Sequence, residues 1–254
     1  MVFENPKDLM AMRLACRLAA EVLDEVAKYI QPGVTTKEID AFAGDCIKRR
    51  GAKSAFLGYR KYPCQVCLSV NEEVVHGMAG NRRVELGDIV SLDVGVCHGG
   101  FIGDNARTVA VGGCGLAAQR LLDVTEQALY KGIAEARAGN RVVDISRAIQ
   151  RFVEGHGFSV VREFVGHGVG RSMHEDPQIP NFDEGKSSSP KLKKGMTLAI
   201  EPMVNMGLPD VKILKDGWTV VTQDGSLSAH FEHTVLVTDG EPEILTCPLA
   251  MPSK

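Results

Sequence analysis

Two aspartates, Asp93 and Asp104, interrupt runs of apolar residues that read as the strands of a β-hairpin. The strands are predicted over residues 89–97 and 101–111, with the turn in His98-Gly99-Gly100. If the turn residues are His98-Gly99, Asp93 faces Asp104 directly, with Cβ atoms roughly 5 Å apart. Two bare carboxylates at that distance repel by about 3 kcal/mol at an effective dielectric of about 20. A shared proton, an arginine or a metal ion must then offset the repulsion; the alternative is a register shifted by one or two residues, with both aspartates solvated at an edge.

Three further residues turn this pair into a set of metal-ligand types. Glu201 and Glu232 also lie in apolar, strand-like stretches, and His167 lies in Gly-His-Gly-Val-Gly, which is too rich in glycine for an ordinary core strand. Four carboxylates in strand contexts are not tolerated together without cations. The group therefore has the composition of a two-metal site, and its mostly oxygen donors favour Mn(II), Fe(II) or Co(II) over a thiolate-type zinc site.

Helices are predicted on both sides of these strand-like segments. Asn5-Pro6 caps a first helix that Pro32-Gly33 stops, and Thr35-Thr-Lys-Glu38 is a capping box for a second helix that ends at Gly51. Strand-like, glycine-rich segments occupy about 52–113. Two more helices are predicted at about 117–138 and 142–155.

The second half of the sequence repeats landmarks of the first at a nearly constant shift. The three positions Gly33, Ile39 and Gly51 recur as Gly139, Ile145 and Gly157. Gly87 precedes Asp93 by six residues, and Gly195 precedes Glu201 by the same six. This pattern predicts an α+β fold in a single catalytic domain, residues 1–254, whose halves (about 1–113 and 114–254) are related by a pseudo-twofold axis.

Composition excludes several classes of protein. The 254 residues are 44% hydrophobic and 24% charged, with a net charge of -3, which is typical of a globular protein. The chain has no excess of basic residues that would indicate binding to nucleic acid or to an anionic membrane. Seven cysteines without a repeating framework favour reduced thiols and a cytoplasmic location. The N-terminus lacks the apolar core of a signal peptide, and no apolar run is long enough to span a membrane.

At this point the order of the motifs resembles a known family. Asp-x10-Asp is followed by Gly-His-Gly-x-Gly-Arg-x-x-His-Glu, then by Ile-Glu-Pro-Met and Glu-His-Thr. This order is similar to that of the type I methionine aminopeptidases, dinuclear metallopeptidases of the pita-bread (creatinase/aminopeptidase) fold, and the likeness covers nearly the whole chain. The resemblance assigns the metal roles to five residues: Asp93, Asp104, His167, Glu201 and Glu232.

The resemblance also implies roles in catalysis. His76 and His174 fall on the family's two catalytic, substrate-contacting histidines. Divalent cations lower the pKa of bound water, and Glu201 is the expected proton acceptor and shuttle. His174 is expected to donate to the oxyanion of the tetrahedral intermediate, and His76 to contact the scissile amide nitrogen.

The family's pocket for the first substrate side chain falls on six residues: Phe56, Tyr59, Tyr62, Cys67, Met173 and Trp218. Two of these depart from the family's pattern, since relatives often carry Cys at position 56 and Phe at position 173. A thioether can line a methionine pocket, but the exchange leaves the size of the pocket open.

The implied reaction is removal of the initiator methionine from nascent proteins when the second residue is small, with two divalent metal ions (Co, Mn or Fe(II)) per chain. The expected partners are the N-terminal peptides of newly made proteins, and neither a specific nucleic acid nor a membrane. We expect a monomer. The sequence does not decide whether Lys191–Lys194 contacts the ribosome transiently. Two alternatives are an Xaa-Pro dipeptidase or aminopeptidase of the same fold and a non-catalytic pita-bread binding protein.

Overall fold

The chain folds into four α-helices packed on antiparallel sheets, in a computed structural model that describes residues 2–186 and 188–247. The helices of these residues are α1 (Pro6–Tyr29), α2 (Thr36–Arg49), α3 (Leu116–Ala134) and α4 (Val142–Gly155). The strands are β1 (Lys53–Ser54), β2 (Cys67–Val70), β3 (Glu73–Val75), β4 (Ile89–His98), β5 (Phe101–Ala110), β6 (Ser159–Val160), β7 (Gly166–Gly168), β8 (Glu175–Ile179), β9 (Thr197–Ile200), β10 (Met203–Asn205), β11 (Val211–Ile213), β12 (Val220–Thr222), β13 (Ser228–His230), β14 (Glu232–Leu236) and β15 (Glu243–Ile244).

Local signals determine where the first two helices begin, as the sequence predicts. The Asn5 side chain accepts a hydrogen bond from the Lys7 backbone N–H at the start of α1. Thr35 and Glu38 form a complete capping box at the start of α2. Helices α3 and α4 also form close to their predicted ranges, although α3 ends four residues early.

The central sheet has the strand order β1-β4-β5-β14-β9-β7-β8, with β2 added to β4 and β15 to β14. Helices α1 and α2 bury apolar side chains against the strands at one end of this order, and α3 and α4 do so at the other. The α1 backbone approaches β5 so closely that a Cβ at Gly103 would lie 2.4 Å from the Cα of Cys16. Only glycine fits at this crossing.

The β4–β5 hairpin forms as predicted, but its register differs from the predicted one by two residues. Asp93 pairs with Ala106, and Asp104 pairs with Gly95, so the prediction that the two aspartates face each other directly is wrong. The turn is Gly99-Gly100, with φ angles of 59° and 81°. A tight two-residue turn needs such positive φ angles, and glycine adopts them with less strain than histidine does. A shift of two residues preserves the face of every side chain, and Asp93 and Asp104 therefore still lie on the same side of the sheet.

The matched glycines of the predicted duplication all have positive φ angles. The values are 92° and 101° for Gly33 and Gly139, 65° and 81° for Gly51 and Gly157, and 97° and 86° for Gly87 and Gly195. Each position is one where a side chain would strain the backbone. The division into two halves stays a prediction, and the end of the second half, residues 248–254, lies outside the described residues.

Within the described part of the chain, none of the helices is long and apolar enough to cross a membrane.

Candidate active site

The register of the central sheet brings the five predicted metal-ligand residues to one face. Asp93 and Glu232 both pair with Ala106 of β5, from opposite sides. Extending the β9–β14 register by one residue places Glu201 opposite Glu232, because Ile200 pairs with His233. These three acidic residues therefore form one row across the sheet.

A second row runs parallel to the first, two residues further along the strands. Asp104 lies on β5, where its backbone N–H donates to the Thr234 hydroxyl on β14. Thr234 pairs with Ala199, and Ala199 pairs with His167 on β7. Since side chains two residues apart share a face, all five predicted ligands line one cavity of about 350 Å³.

Distances within this cavity are those of a cation site. The ligand atoms of Asp104, His167 and Glu232 lie within 4.8 Å of one another. His167 Nε2 is 3.3 Å from Glu201 Oε1 and 3.8 Å from Asp104 Oδ2. His167 Nδ1 lies 2.9 Å from the carbonyl of Gly168, so Nδ1 carries the proton and Nε2 presents its lone pair to the carboxylates.

Burial makes the negative charges of this site costly. Desolvation raises the pKa of Asp93 to about 7. Desolvation, followed by repulsion from neighbouring carboxylates, raises the pKa of Asp104, Glu201 and Glu232 well above the ordinary range. Burial lowers the pKa of His167 to about 4, and the ring is therefore neutral at pH 7.

Several polar atoms of the site are buried without a hydrogen-bond partner. They include Asp93 Oδ1, Asp104 Oδ1 and Glu232 Oε1. Buried carboxylate oxygens rarely stay unpaired in proteins, and a donor set of carboxylate oxygens with one imidazole nitrogen suits hard or borderline divalent cations. The residues present therefore fit the metal ions that the motif order implies.

His174 lies beside this cluster and is held by a distant part of the chain. Its Nδ1 is 2.8 Å from the Tyr59 hydroxyl, and its ring centroid is 4.3 Å from that of His167. Burial lowers the pKa of His174, and the positive charge of Arg60 adds to this effect. If the Tyr59 hydroxyl donates to Nδ1, the neutral imidazole presents Nε2–H as a donor.

His76 lines the same cavity from the loop after β3. Its φ of 59° is unusual for a residue with a side chain, and such strain concentrates at functional sites. The ring packs edge-on against Phe164 and Trp218, with centroids 5.5 and 6.1 Å away. Burial lowers the pKa of His76 to about 4.

The six residues predicted for the substrate side chain lie together on the wall of this cavity: Phe56, Tyr59, Tyr62, Cys67, Met173 and Trp218. The Tyr62 hydroxyl donates to the Gly77 carbonyl over 2.8 Å, which removes its polar atom from the pocket. The Trp218 ring packs edge-on against Tyr62 at 5.0 Å. The result is an apolar surface next to the carboxylate cluster.

Sequence reasoning missed several residues of the cavity. His230 is 2% exposed, its Nε2 has no hydrogen-bond partner, and this atom lies 3.8 Å from Glu201 Oε2. Phe164, Met203, Arg60 and Glu163 also line the cavity. A signal for His230 was its position two residues before Glu232, because side chains two residues apart in an extended segment lie on the same face.

Comparison with known proteins gives a consistent result. Residues 10–239 match the family described as metallopeptidase family M24. Methionine aminopeptidase 1 of Bacillus subtilis (strain 168) is 50% identical over 245 residues, which are 96% of this chain and 98% of the relative. The crystal structure of methionine aminopeptidase from Rickettsia prowazekii has a TM-score of 0.94 at 41% identity, covering 97% of this chain and 100% of that one.

A prolidase from Pyrococcus furiosus is a more distant neighbour. It has a TM-score of 0.80 at 22% identity and covers 98% of this chain but 66% of its own. This likeness is one of fold alone.

Proposed function

The chain belongs to metallopeptidase family M24, and we propose that it removes the N-terminal methionine from peptides and newly made proteins whose second residue is small. The observation that carries this proposal is the meeting of five metal-ligand side chains and an apolar pocket in one cavity. An enzyme that cleaves after an N-terminal methionine needs both parts within the length of one residue.

We assign the metal ions to Asp93, Asp104, His167, Glu201 and Glu232, with two divalent cations per chain. Mn(II), Fe(II) and Co(II) suit this donor set. When bound, the cations lower the pKa of water so that hydroxide is available at neutral pH.

The protein's own residues handle the proton and the developing charge. Glu201 takes the proton of the attacking water and passes it to the leaving amine. His174 donates its Nε2–H to the oxyanion of the tetrahedral intermediate, and the Tyr59 hydroxyl holds the imidazole in the orientation that this donation needs. His76 contacts the scissile amide nitrogen.

Substrate choice follows from the chemistry of the pocket. Its six predicted residues are uncharged, and Arg60 and Glu163, which also line the cavity, are exposed. A charged first residue therefore loses its hydration without a buried counter-charge in the pocket. An unbranched apolar side chain buries its surface there instead. The small second residue is the preference that the resemblance to the type I methionine aminopeptidases implies.

The wider setting of the reaction belongs to the same proposal. We place the enzyme in the cytoplasm as a monomer that acts on newly made chains, with Lys191–Lys194 as a transient contact to the ribosome. Buried thiols support a reducing compartment, since Cys16, Cys46, Cys64 and Cys67 are free and buried.

A peptide set tests the proposed reaction. Release of methionine from Met-Ala-Ser, Met-Lys-Ser and Met-Pro-Ser is measured after chelation and after addition of Mn(II) or Co(II), with Lys-Ala-Ser as the charged counterpart. We expect metal-dependent cleavage of Met-Ala-Ser only, or far above the others. The Glu201→Gln variant controls for a contaminating peptidase.

Efficient release of Lys would reject the proposal. A clear preference for Pro over Ala at the second position would favour an Xaa-Pro peptidase of this fold, an activity that the present likenesses do not favour.

A further inference from the structure

The turn between Gly58 and Tyr62 holds a positive charge at the mouth of the active-site cavity. Arg60 is exposed and lines this cavity, whereas the neighbouring Lys61 is exposed but does not line it. Within the described residues the Arg60 guanidinium forms no ion pair, and it lies over the face of the Tyr59 ring, 5.4 Å from the ring centroid. Its charge therefore remains available to a ligand that enters the cavity.

The backbone of this turn is fixed in an unusual conformation. Arg60 and Lys61 have φ angles of 47° and 72°, a region that residues with side chains rarely adopt. The Gly58 N–H donates to the Tyr62 carbonyl over 2.8 Å, and the Tyr62 N–H donates to the Tyr59 carbonyl over 2.8 Å. Such conformations persist only where the surrounding structure holds them, and they cluster at functional sites. The turn therefore presents Arg60 from a preorganised backbone.

Tyr59 connects Arg60 to the reaction centre. Its ring centroid lies 5.4 Å from the Arg60 guanidinium and 5.4 Å from the centroid of the His174 ring. The guanidinium is therefore no more than two such distances from the imidazole assigned to the oxyanion. The positive charge of Arg60 also adds to the lowering of the pKa of His174, so its field reaches this histidine.

Glu163 is another exposed, charged residue of the cavity wall. It precedes Phe164, whose ring packs against His76 with centroids 5.5 Å apart. The charge of Glu163 shifts the pKa of neither His76 nor His174. Of these two charges, that of Arg60 is therefore the one that is felt beside the scissile bond.

The length of a peptide brings its third residue to the mouth of the cavity. With methionine in the apolar pocket and its carbonyl at His174, the rest of the substrate extends from the scissile bond towards solvent. An extended chain advances about 3.3 Å per residue, so the third residue lies about 7 Å beyond the first. Its side chain is then within reach of Arg60, while the second residue still lies beside the carboxylate cluster.

We propose that Arg60 favours substrates with an acidic third residue, whose carboxylate accepts hydrogen bonds from the guanidinium at the mouth of the cavity. The inference rests on the proposed methionine removal and adds a preference beyond the second residue. A guanidinium can bind a carboxylate through two parallel N–H···O bonds. Because the pair is exposed to solvent, it changes kcat/KM by about twofold to fivefold.

The test uses the full-length, metal-loaded enzyme and three C-terminally amidated peptides: Met-Ala-Glu-Gly-Gly, Met-Ala-Gln-Gly-Gly and Met-Ala-Lys-Gly-Gly. Amidation removes the C-terminal carboxylate, and Glu and Gln have the same shape. We expect kcat/KM for the Glu peptide to exceed that for the Gln peptide by about twofold to fivefold, with the Lys peptide the slowest. Raising the ionic strength from about 0.01 M to about 1 M shortens the screening length from about 30 Å to about 3 Å, and the preference should then disappear.

Variants assign the preference to one side chain. Arg60→Gln should abolish the preference for Glu over Gln, and Arg60→Glu should transfer it to the Lys peptide, because the sign of the charge is reversed. Arg60→Lys should retain a preference for Glu. Lys61→Gln is the matched control, since Lys61 is exposed outside the cavity wall, and it should leave the preference unchanged. Glu163→Gln should not lower it.

The outcomes separate this inference from the proposed function. Equal kcat/KM values for all three peptides would overturn the inference and leave methionine removal intact. A preference that survives in Arg60→Gln, or that is lost equally in Lys61→Gln, would overturn it as well. No methionine release from any of the three peptides, with metal loading verified by elemental analysis, would reject the proposed function and the inference together.

Discussion

The stability of the metal-free protein should depend on pH in a way that reports the buried carboxylates directly. Burial raises the pKa of Asp93 to about 7, and burial with repulsion between the carboxylates raises the pKa of Asp104, Glu201 and Glu232 well above the ordinary range. A carboxyl that keeps its proton in the folded state binds more protons than the same group in the unfolded chain. The free energy of unfolding therefore falls as the pH rises from the unfolded pKa towards the folded one.

The buried histidines act in the opposite direction over a lower pH range. Burial lowers the pKa of His76 and His167 to about 4 and that of His230 to about 3. The unfolded chain takes up these protons below a pH of about 6.5, so the contribution of the histidines to the free energy of unfolding rises with pH up to that point. Above it the histidines are neutral in both states, and the slope comes from the carboxyls, with a smaller contribution of the same sign from buried thiols whose pKa is raised by burial.

Each carboxyl proton that is retained on folding contributes a slope of about 1.4 kcal/mol per pH unit. For a chain of this size, this corresponds to a fall in Tm of about 3 °C per pH unit. We therefore expect the Tm of chelator-stripped protein to fall by at least that amount between pH 7 and pH 8, as measured by calorimetry. The Glu232→Gln variant should show a shallower slope, by about one proton.

Metal binding should reverse this behaviour. Saturating divalent cation holds the carboxylates in their ionised form, so their contribution to the slope above pH 7 disappears. Each bound cation raises the free energy of unfolding by about 2.7 kcal/mol at a metal concentration of 100 Kd. A Tm of the stripped protein that stays constant or rises between pH 7 and pH 8 would contradict the clustering of buried acids at this site.

Three further predictions concern catalysis. His174→Ala should lower kcat strongly and leave the metal content unchanged, whereas His167→Ala should lose metal, as elemental analysis would show; equal losses would contradict the two assignments. Tyr59→Phe should lower kcat by about threefold to tenfold, the value of one hydrogen bond, without a change in metal affinity; a lower metal affinity would mean that Tyr59 acts elsewhere. Peptides that begin with norleucine should be cleaved, because a methylene-sized change costs only about 1 to 3 kcal/mol, and peptides that begin with Lys or Glu should not; comparable kcat/KM values for Lys and Met would refute the apolar pocket.

Local signals in the sequence were sufficient for the helices, because a cap involves residues close together in the chain. Thr35 and Glu38 are three residues apart, and the capping box they form depends on little else. The hairpin register was different, since His98-Gly99 and Gly99-Gly100 are both acceptable turn sequences. The glycine pair forms the turn, and both of its residues have positive φ angles. Glycine is favoured there because it adopts these angles without steric strain.

Contacts between distant segments of the chain could not be predicted from residue types and spacing. The hydrogen bond between Tyr59 and His174 joins residues 115 positions apart, and no periodicity predicts it. The five predicted metal ligands stand out because charged residues in apolar strands are unusual, and the family resemblance implies their roles. His230 lies in an equally apolar stretch, but a lone histidine beside strands is common, and its type and position alone did not predict that it belongs to the site.

The order of strands explains why a small error in register did not matter for the site. Four neighbouring strands, β4, β5, β14 and β9, run across the centre of the sheet, and each supplies one acidic residue at or just beyond its paired segment. Asp93 and Glu201 come from the outer two strands, and Asp104 and Glu232 from the inner two. Two acidic residues thus lie on each side of the β5–β14 seam, although only β4 and β5 form a hairpin, since β10 to β13 lie between β9 and β14 in the chain.

The strand order keeps two acidic residues on each side of the seam, whichever hairpin turn is used. A shift of two residues moves a carboxylate along its strand but leaves it on the same face, where Glu201 and Glu232 still lie. His167, from β7, has no counterpart among these four strands and makes the two ends of the cluster chemically different. If two divalent cations were bound, the residues at one end would offer an imidazole donor and those at the other end carboxylates alone, so the two cations would differ in their ligands.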